Sequence, residues 1–250
     1  MTKLNIKNIK LSRKLRYKEE TNSTNDDALS CENPAEECVF LAERQIKGKG
    51  SRGRNWQSEK GDGIWMSILL FPKLSAIDIP KITLIGGMAV CTAVRKAGFE
   101  AYIKWPNDIV IGGKKVCGIL TEKRGERVVI GIGINVNTKN FDSELKNKAT
   151  SLFLEGGKKN ERESLISSVC SEFDLLYDTL KTDGFSALSR KYAELCITVG
   201  KKIMVIQPDI SYEAESVGIT EKGELLIVRN GKEEKLCSGE VSVRGIYGYV

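Results

Sequence analysis

Apolar and polar residues repeat with different periods in different parts of the chain. Continuous apolar runs of strand length occur three times, at residues 38–43, 64–71 and 127–136. Apolar residues spaced by three or four positions follow Pro80 as far as Lys96, and this spacing predicts a helix. The same spacing at residues 165–180 predicts a second helix with one apolar face, and a shorter helix follows at about residues 185–195.

The middle of the chain combines short strands with turn-forming residues. Three strands are predicted around Pro106 and around the Gly112-Gly113 pair, at residues 101–105, 109–111 and 114–122. A Gly-Gly pair suits a two-residue hairpin turn. Upstream, residues 22–27 are all capping or turn-forming side chains and predict a loop that leads into a short helix.

From about residue 196 the pattern changes to short strands separated by turn signals. The turns are marked by Pro, Gly and Asn residues, at 207–209, 221–223 and 230–231. About 55 residues of this kind are typical of a small SH3-like β-barrel. We therefore predict two parts that pack together, residues 1–195 and residues 196–250.

Composition restricts the possible chemistry. The chain has 250 residues, of which 41% are hydrophobic and 29% charged, a balance that favours a folded domain over disorder. Histidine is absent, which excludes Ser-His and Cys-His nucleophiles, histidine bases and most catalytic zinc sites. Seven cysteines without a CxxC pair, mostly among apolar neighbours, predict buried thiols and neither disulfides nor a zinc site.

The net charge of +6 predicts an anionic ligand more than a nucleic acid, because the clustered cations lie in a glycine-rich stretch and not along one helix. No apolar run approaches the ~18 residues of a membrane span. The first 18 residues are basic but lack the apolar segment of a signal peptide. We therefore expect a cytoplasmic protein that neither enters a membrane nor binds DNA.

The glycine- and arginine-rich stretch at residues 48–56 is the main candidate for anion binding. It contains G-x-G-x-x-G, but no helix follows and the ~30-residue βαβ unit is missing, so it is not a dinucleotide fingerprint. Arg54 stands where a P-loop needs lysine. Glycine N–H groups, Lys49, Arg52 and Arg54 can still approach an anion closely. Composition alone leaves a mobile surface loop as an equal alternative.

This loop and five other segments resemble the motifs of biotin–protein ligases. The other segments, in the family's order, are NSTN at 22–25, KWPND at 104–108, KKVCGILTE at 114–122, GIGINVN at 131–137 and SGEVSVR at 238–244. The resemblance covers about residues 15–250. It implies an α+β fold in which a mixed-sheet catalytic domain of the biotin/lipoate ligase type precedes an SH3-like β-barrel.

The resemblance implies a two-step ligase reaction. Biotin's carboxylate would attack the α-phosphate of ATP to give biotinyl-adenylate and pyrophosphate, with Mg²⁺ required. A lysine of a biotin carboxyl carrier domain, from a biotin-dependent carboxylase, would then displace AMP. Lipoate–protein ligase activity and non-catalytic binding of biotin or nucleotide stay open. Some family members carry an N-terminal DNA-binding domain; this chain begins almost at the catalytic motifs, so we expect no repression, and we allow for a homodimer.

The resemblance also implies roles for single residues. Ser23, Thr24 and Gln45 would hydrogen-bond the ureido ring of biotin, although a helix N-cap is the alternative for the first two. Lys115 would contact both the biotin carboxylate and the α-phosphate, and Asp108 would orient or deprotonate the carrier lysine. Lys104 and Arg54 complete the predicted catalytic set.

Further contacts are implied along the ligand. Gly48, Lys49 and Gly50 would approach the biotin tail and the adenylate phosphate. Gly118 would let biotin pack on the backbone. The nucleotide side would be contacted by Arg52 and Arg54 at the triphosphate, Trp56 near the adenine, Lys104 and Asn107 at the phosphates and Mg²⁺, and Asn135 at the adenine or ribose. Asn25 belongs to the same binding set. Glu240 and Arg244 would support the nucleotide, or form a plain surface ion pair.

One position departs from the family pattern. Ser51 stands where the family usually has arginine, and serine supplies neither a charge nor a bidentate contact. We therefore hypothesise weaker retention of biotinyl-adenylate, with some leakage onto lysines of other proteins. Arg52 could compensate from the next position.

Overall fold

The protein is described by a computed structural model that covers residues 3–32, 37–156, 159–207, 209–239, 241–246 and 249. Seven strands form the larger sheet in the order β1-β2-β3-β7-β6-β5-β4. They are β1 Lys14–Thr21, β2 Cys38–Gln45, β3 Gly63–Leu70, β4 Ala101–Lys104, β5 Asp108–Ile111, β6 Lys114–Arg124 and β7 Arg127–Asn135. Strands β1 and β2 run parallel and the other neighbours antiparallel, so the predicted mixed sheet is confirmed.

Within the described residues, five α-helices accompany this sheet: α1 Thr24–Leu29, α2 Pro80–Lys96, α3 Leu152–Gly156, α4 Arg162–Thr182 and α5 Ser186–Leu195. The sides of β2 alternate, so that Val39 and Leu41 join the main core with α2 and α4, whereas Phe40 joins a smaller cluster with α1. Helices α2 and α4 therefore cover one face of the sheet and α1 lies on the other. The face that carries α1 is left partly open.

Most predicted elements lie where the pattern placed them. The helix predicted from Pro80 to Lys96 has these bounds, and Gly112 and Gly113 turn the β5–β6 hairpin with φ values of 55° and 77°. Strand β1 was not predicted from the sequence. The strand lies at the sheet edge and most of its side chains are exposed, so only Leu15 and Tyr17 show the alternating burial that marks a strand.

The smaller sheet contains five antiparallel strands in the order β11-β10-β9-β8-β12. They are β8 Lys202–Ile206, β9 Ser211–Ile219, β10 Leu225–Arg229, β11 Lys232–Leu236 and β12 Ser242–Gly245. The predicted short strands are thus confirmed. The sheet packs on the larger part, where the Trp105 indole N–H donates to the Gly223 carbonyl at 3.2 Å. Arg244 is exposed on β12, and Glu240 lies outside the described residues.

A buried ion pair joins segments that are distant in sequence. The Arg162 guanidinium on α4 donates to the Glu43 carboxylate on β2 at 2.9 Å and to the Gly63 carbonyl at 3.1 Å. The backbone N–H of Leu4 donates to the same carboxylate at 2.5 Å. Glu43 is 0% exposed, so its charge needs these partners. The pair ties the start of the chain, β2, β3 and α4 together.

Six of the seven cysteines are buried, as predicted, and Cys237 is exposed. Burial raises the pKa of Cys91 to about 11 and that of Cys170 to about 12, so both stay protonated and unreactive. Across the described ranges, no helix is long and apolar enough to cross a membrane.

Candidate active site

Glycines form the floor of a cavity on the open face of the large sheet. Gly133 on β7 pairs with Gly118 on β6, and Gly131 lies two residues before Gly133 on the same face. A Cβ atom on Gly131 would lie 2.2 Å from Asn25 Oδ1, and one on Gly133 would lie 2.5 Å from Trp56 Nε1. Only glycine fits beneath these two side chains. The intervening isoleucines face the helices on the other side, Ile130, Ile132 and Ile134.

The pocket above this floor contains about 460 Å³ of space, part of which is open to solvent. Eleven of the predicted site residues line it, which are Ser23, Thr24, Asn25, Gln45, Lys49, Gly50, Ser51, Trp56, Asn107, Lys115 and Gly118. The other six predicted residues are not among its lining residues, and these are Gly48, Arg52, Arg54, Lys104, Asp108 and Asn135. Ser23 and Gly118, which are 95 positions apart in sequence, thus line the same cavity.

Uncharged polar side chains line one part of the cavity. Gln45 Oε1 accepts from the Thr24 N–H at 2.9 Å and from its hydroxyl at 3.0 Å, while Gln45 Nε2 donates to Ser58 Oγ at 2.9 Å. The Ser67 hydroxyl lies 2.7 Å from Thr24 Oγ1 and 2.6 Å from Asn25 Oδ1. These bonds fix the donors and acceptors in place, which suits a small neutral ring with both N–H and C=O groups.

Ser23 stands at the N-cap of α1, the position that the alternative interpretation assigned to it. Its side chain makes no capping hydrogen bond, although the residue is only 2% exposed. The hydroxyl therefore has hydrogen-bonding capacity left for a ligand.

The other end of the cavity is charged. Lys115 Nζ lies 2.5 Å from Asp108 Oδ1 and 5.1 Å from the centre of the Trp56 ring, and Lys104 Nζ lies 3.9 Å from Asp108 Oδ2. Burial would raise the pKa of Asp108, but the ammonium groups of Lys115 and Lys104 outweigh it and the pKa is lowered. The carboxylate therefore stays ionised between two cations.

Lys104 is the more buried of the two cations. Its side chain is 8% exposed, and burial lowers its pKa to about 8 although Asp108 acts in the opposite direction. Its ammonium donates to the Val243 carbonyl on β12 at 2.8 Å. The small sheet therefore supplies one of the groups that hold this lysine.

Backbone hydrogen bonds close the glycine loop, residues 48–56, on itself, and four of its residues line the cavity. The Trp56 N–H donates to the Gly48 carbonyl at 2.8 Å and the Gly50 N–H to the Arg54 carbonyl at 2.7 Å. A Cβ on Gly48 would lie 2.3 Å from the Trp56 carbonyl oxygen, so the loop needs glycine there. Arg52 adopts the left-handed conformation with a φ of 60°.

The cations of the loop point in different directions. Lys49 Nζ contacts Asp26 Oδ1 at 2.5 Å and lies 4.0 Å from Glu122, and the bond to Asp26 raises its pKa. Arg54 folds back onto Ser51, donating to its carbonyl at 3.2 Å and to its hydroxyl at 3.1 Å. Arg52 is exposed. In this conformation Lys49 and Ser51, not the two arginines, reach the cavity.

Two predicted asparagines make bonds within the protein. Asn107 Nδ2 donates to the Ile119 carbonyl at 3.0 Å, and Asn135 Nδ2 donates to the Thr150 carbonyl at 3.1 Å. Their predicted contacts with phosphates, Mg²⁺ and nucleoside stay predictions. In the part of the chain that is described, no group of three or more His, Cys, Asp or Glu residues could hold a metal ion.

Several residues around the site were not predicted from the sequence. Ser58, Ser67, Asp26 and Glu122 hold predicted site residues through the bonds to Gln45, Thr24, Lys49 and Asn25. The Tyr249 hydroxyl donates to Asp108 Oδ2. Alternation along β3 could have indicated Ser67, because it is the one polar residue in an apolar strand. Nothing in the local sequence indicates Tyr249.

The chain is similar to known proteins over most of its length. Residues 15–138 match the Biotin/lipoate A/B protein ligase family. The Bifunctional ligase/repressor BirA of Bacillus subtilis is 34% identical over 223 residues, which cover 86% of this chain and 69% of that protein. The Biotin--[acetyl-CoA-carboxylase] ligase of Mycobacterium tuberculosis is 27% identical, over 89% of this chain and 86% of that protein.

A solved structure shows the same architecture. The biotin protein ligase from Aquifex aeolicus in complex with biotin and ATP superposes with a TM-score of 0.84 at 28% identity, covering 93% of this chain and 99% of that one. With the motifs in order, the relatives matched over most of their length and the fold shared, the chain belongs to the biotin–protein ligase family.

Proposed function

We propose that this protein activates biotin with ATP and transfers it to a lysine of a biotin carboxyl carrier domain. The observation that carries the proposal is a single cavity with an uncharged polar end and a cationic end. Biotin has the matching distribution of charge, because its ureido ring is neutral and its valerate tail ends in a carboxylate. The Gln45–Thr24–Ser58 bonds support the first match, and Lys115 supports the second.

In the first step, a carboxylate oxygen of biotin attacks the α-phosphorus of ATP and pyrophosphate leaves. Lys115 would hold both anions, and charge stabilisation of this kind needs no enzyme nucleophile. In the second step, the carrier lysine attacks the acyl carbon, the bond to AMP breaks and the amine loses a proton. Mg²⁺ accompanies ATP as the required metal; such sites typically use few protein ligands and several phosphates or waters.

We further propose the finer divisions that the motifs imply. Residues 1–195 would form the catalytic domain and residues 196–250 an SH3-like domain, supported by the gap between the end of α5 at Leu195 and the start of β8 at Lys202. A cytoplasmic location is supported by seven cysteines without disulfides. The absence of DNA binding and the capacity to form a homodimer stay predictions of the sequence.

The test is the intact mass of a purified biotin carboxyl carrier domain after incubation with the protein, ATP, Mg²⁺ and biotin. One biotin added to one lysine is the expected result. A parallel incubation contains lipoate in place of biotin. Transfer of lipoate would assign the protein to the lipoate ligases instead, and transfer of neither would leave only binding.

Ser51 provides a prediction about the intermediate. Ser51→Arg should slow the release of preformed biotinyl-adenylate by roughly 10- to 100-fold, because a hydrogen bond to a charged group contributes about 1.5–3 kcal/mol. Rapid filtration of the enzyme-bound intermediate measures this rate. Asn55→Arg is the matched control, since it adds the same charge to an exposed position of the same loop. Equal release from the wild type and Ser51→Arg would contradict the hypothesis.

A further inference from the structure

Tyr249, which follows β12 in the sequence, contacts the charged residues beside the cavity. Its hydroxyl donates to Asp108 Oδ2, across 141 positions of sequence. The ammonium of Lys104 lies 4.5 Å from the centre of the Tyr249 ring, within range of a cation–π contact. The phenol thus contacts the predicted catalytic carboxylate with its hydroxyl and a predicted phosphate-binding lysine with its ring.

The direction of the hydrogen bond is fixed by charge. Burial, and then the negative charge of Asp108, raise the pKa of Tyr249, so the phenol keeps its proton. Asp108 stays ionised between Lys115 and Lys104. The tyrosine is therefore the donor and the carboxylate the acceptor.

The two oxygens of Asp108 have different partners. Oδ1 lies 2.5 Å from Lys115 Nζ, whereas Oδ2 accepts from Tyr249 and lies 3.9 Å from Lys104 Nζ. Under the proposed function, Lys115 leaves for the biotin carboxylate and the α-phosphate when substrates bind. Tyr249 has no such second role. Ligand binding would then free Oδ1 and leave Oδ2 held.

We propose that Tyr249 is a positioning residue for the transfer step: by holding Oδ2, it keeps Oδ1 of Asp108 directed at the incoming carrier lysine. The inference rests on the proposed function. The torsion that orients a carboxylate is broad, so a free Asp108 could rotate either oxygen towards Lys104. A donor on one oxygen removes that freedom. In the transfer, the amine nitrogen bonds to the acyl carbon, the acyl–oxygen bond to AMP breaks, and the amine proton passes to Oδ1.

The test is Tyr249→Phe, which removes the hydroxyl and keeps the ring over Lys104. Biotinyl-adenylate formation should stay within about twofold of the wild type, because Asp108 acts after it. Transfer from preformed biotinyl-adenylate should lose about tenfold in kcat, less than the ~100-fold that a 1 Å misplacement of a reacting group can cause. The KM for the carrier should change by less than about twofold, because the substitution removes only the hydroxyl that contacts Asp108.

Tyr212→Phe is the matched control. It makes the same change in the small sheet, at a ring that stacks with Arg229 at 3.8 Å, and it should leave both steps unaltered. Three results would overturn the inference: equal transfer by Tyr249→Phe and wild type, faster transfer, or a parallel loss in both steps with a lower melting temperature. A wild type that never modifies the carrier would instead overturn the proposed function.

Discussion

Replacing Lys115 with methionine should slow biotinyl-adenylate formation by about 10²–10³-fold, the loss that follows removal of one preorganised donor to a developing charge. The ammonium lies within the cavity, 2.5 Å from Asp108 Oδ1, and its side chain is only 20% exposed. Methionine keeps an unbranched apolar chain but cannot offset the negative charge that builds up on the α-phosphate. Biotin-dependent exchange of labelled pyrophosphate into ATP measures this step alone.

The neighbouring residue offers the control for this substitution. Lys114→Met removes an equal charge from an exposed position at the start of β6, and it should leave the exchange rate within about twofold. A similar loss in both variants would mean that overall charge, and not the placement of Lys115, determines the rate. An unchanged rate in Lys115→Met would remove Lys115 from the mechanism.

Asp108→Asn should slow transfer to the carrier by about 10²–10⁴-fold, the range associated with a positioned general base. Asparagine keeps the shape of the side chain but cannot accept a proton from the carrier lysine. Single-turnover mixing of preformed biotinyl-adenylate with the carrier domain, followed by intact mass, measures the step. Adenylate formation should fall far less, because Lys115 remains.

Stability must be followed in the same variant, because Asp108→Asn leaves Lys104 and Lys115 without their anionic partner. The melting temperature from thermal unfolding distinguishes a loss of stability from a loss of the transfer step alone. Asp78→Asn is a suitable comparison, since it removes a carboxylate that pairs with Lys81 at 2.5 Å, at the start of α2. Comparable transfer by Asp108→Asn and Asp78→Asn would remove the proposed role of Asp108.

The elements that could be predicted are those specified by residues within the element itself. Helix α2 was predictable because Pro80 starts it and its apolar positions follow one face, and the Gly112-Gly113 turn needs positive φ at both residues. Strand β1 was not predicted, because its exposed residues form a strand only through parallel pairing with β2. The site residues differ in the same way: some could be predicted from local sequence and others depend on distant partners. Gly131 and Gly133 lie inside a motif, whereas Ser67 and Tyr249 act through partners 42 and 141 positions away.

The buried Glu43–Arg162 pair has a consequence for the synthesis of the chain. Its partners are 119 positions apart, so at about 5–20 residues per second Arg162 leaves the ribosome roughly 6–24 s after Glu43. Until Arg162 has emerged, the charge of Glu43 on β2 cannot be buried. Strand β3 likewise cannot pair with β7 until β7 has been synthesised. We therefore expect the nascent N-terminal strands to stay open and accessible to chaperones until α4 has emerged.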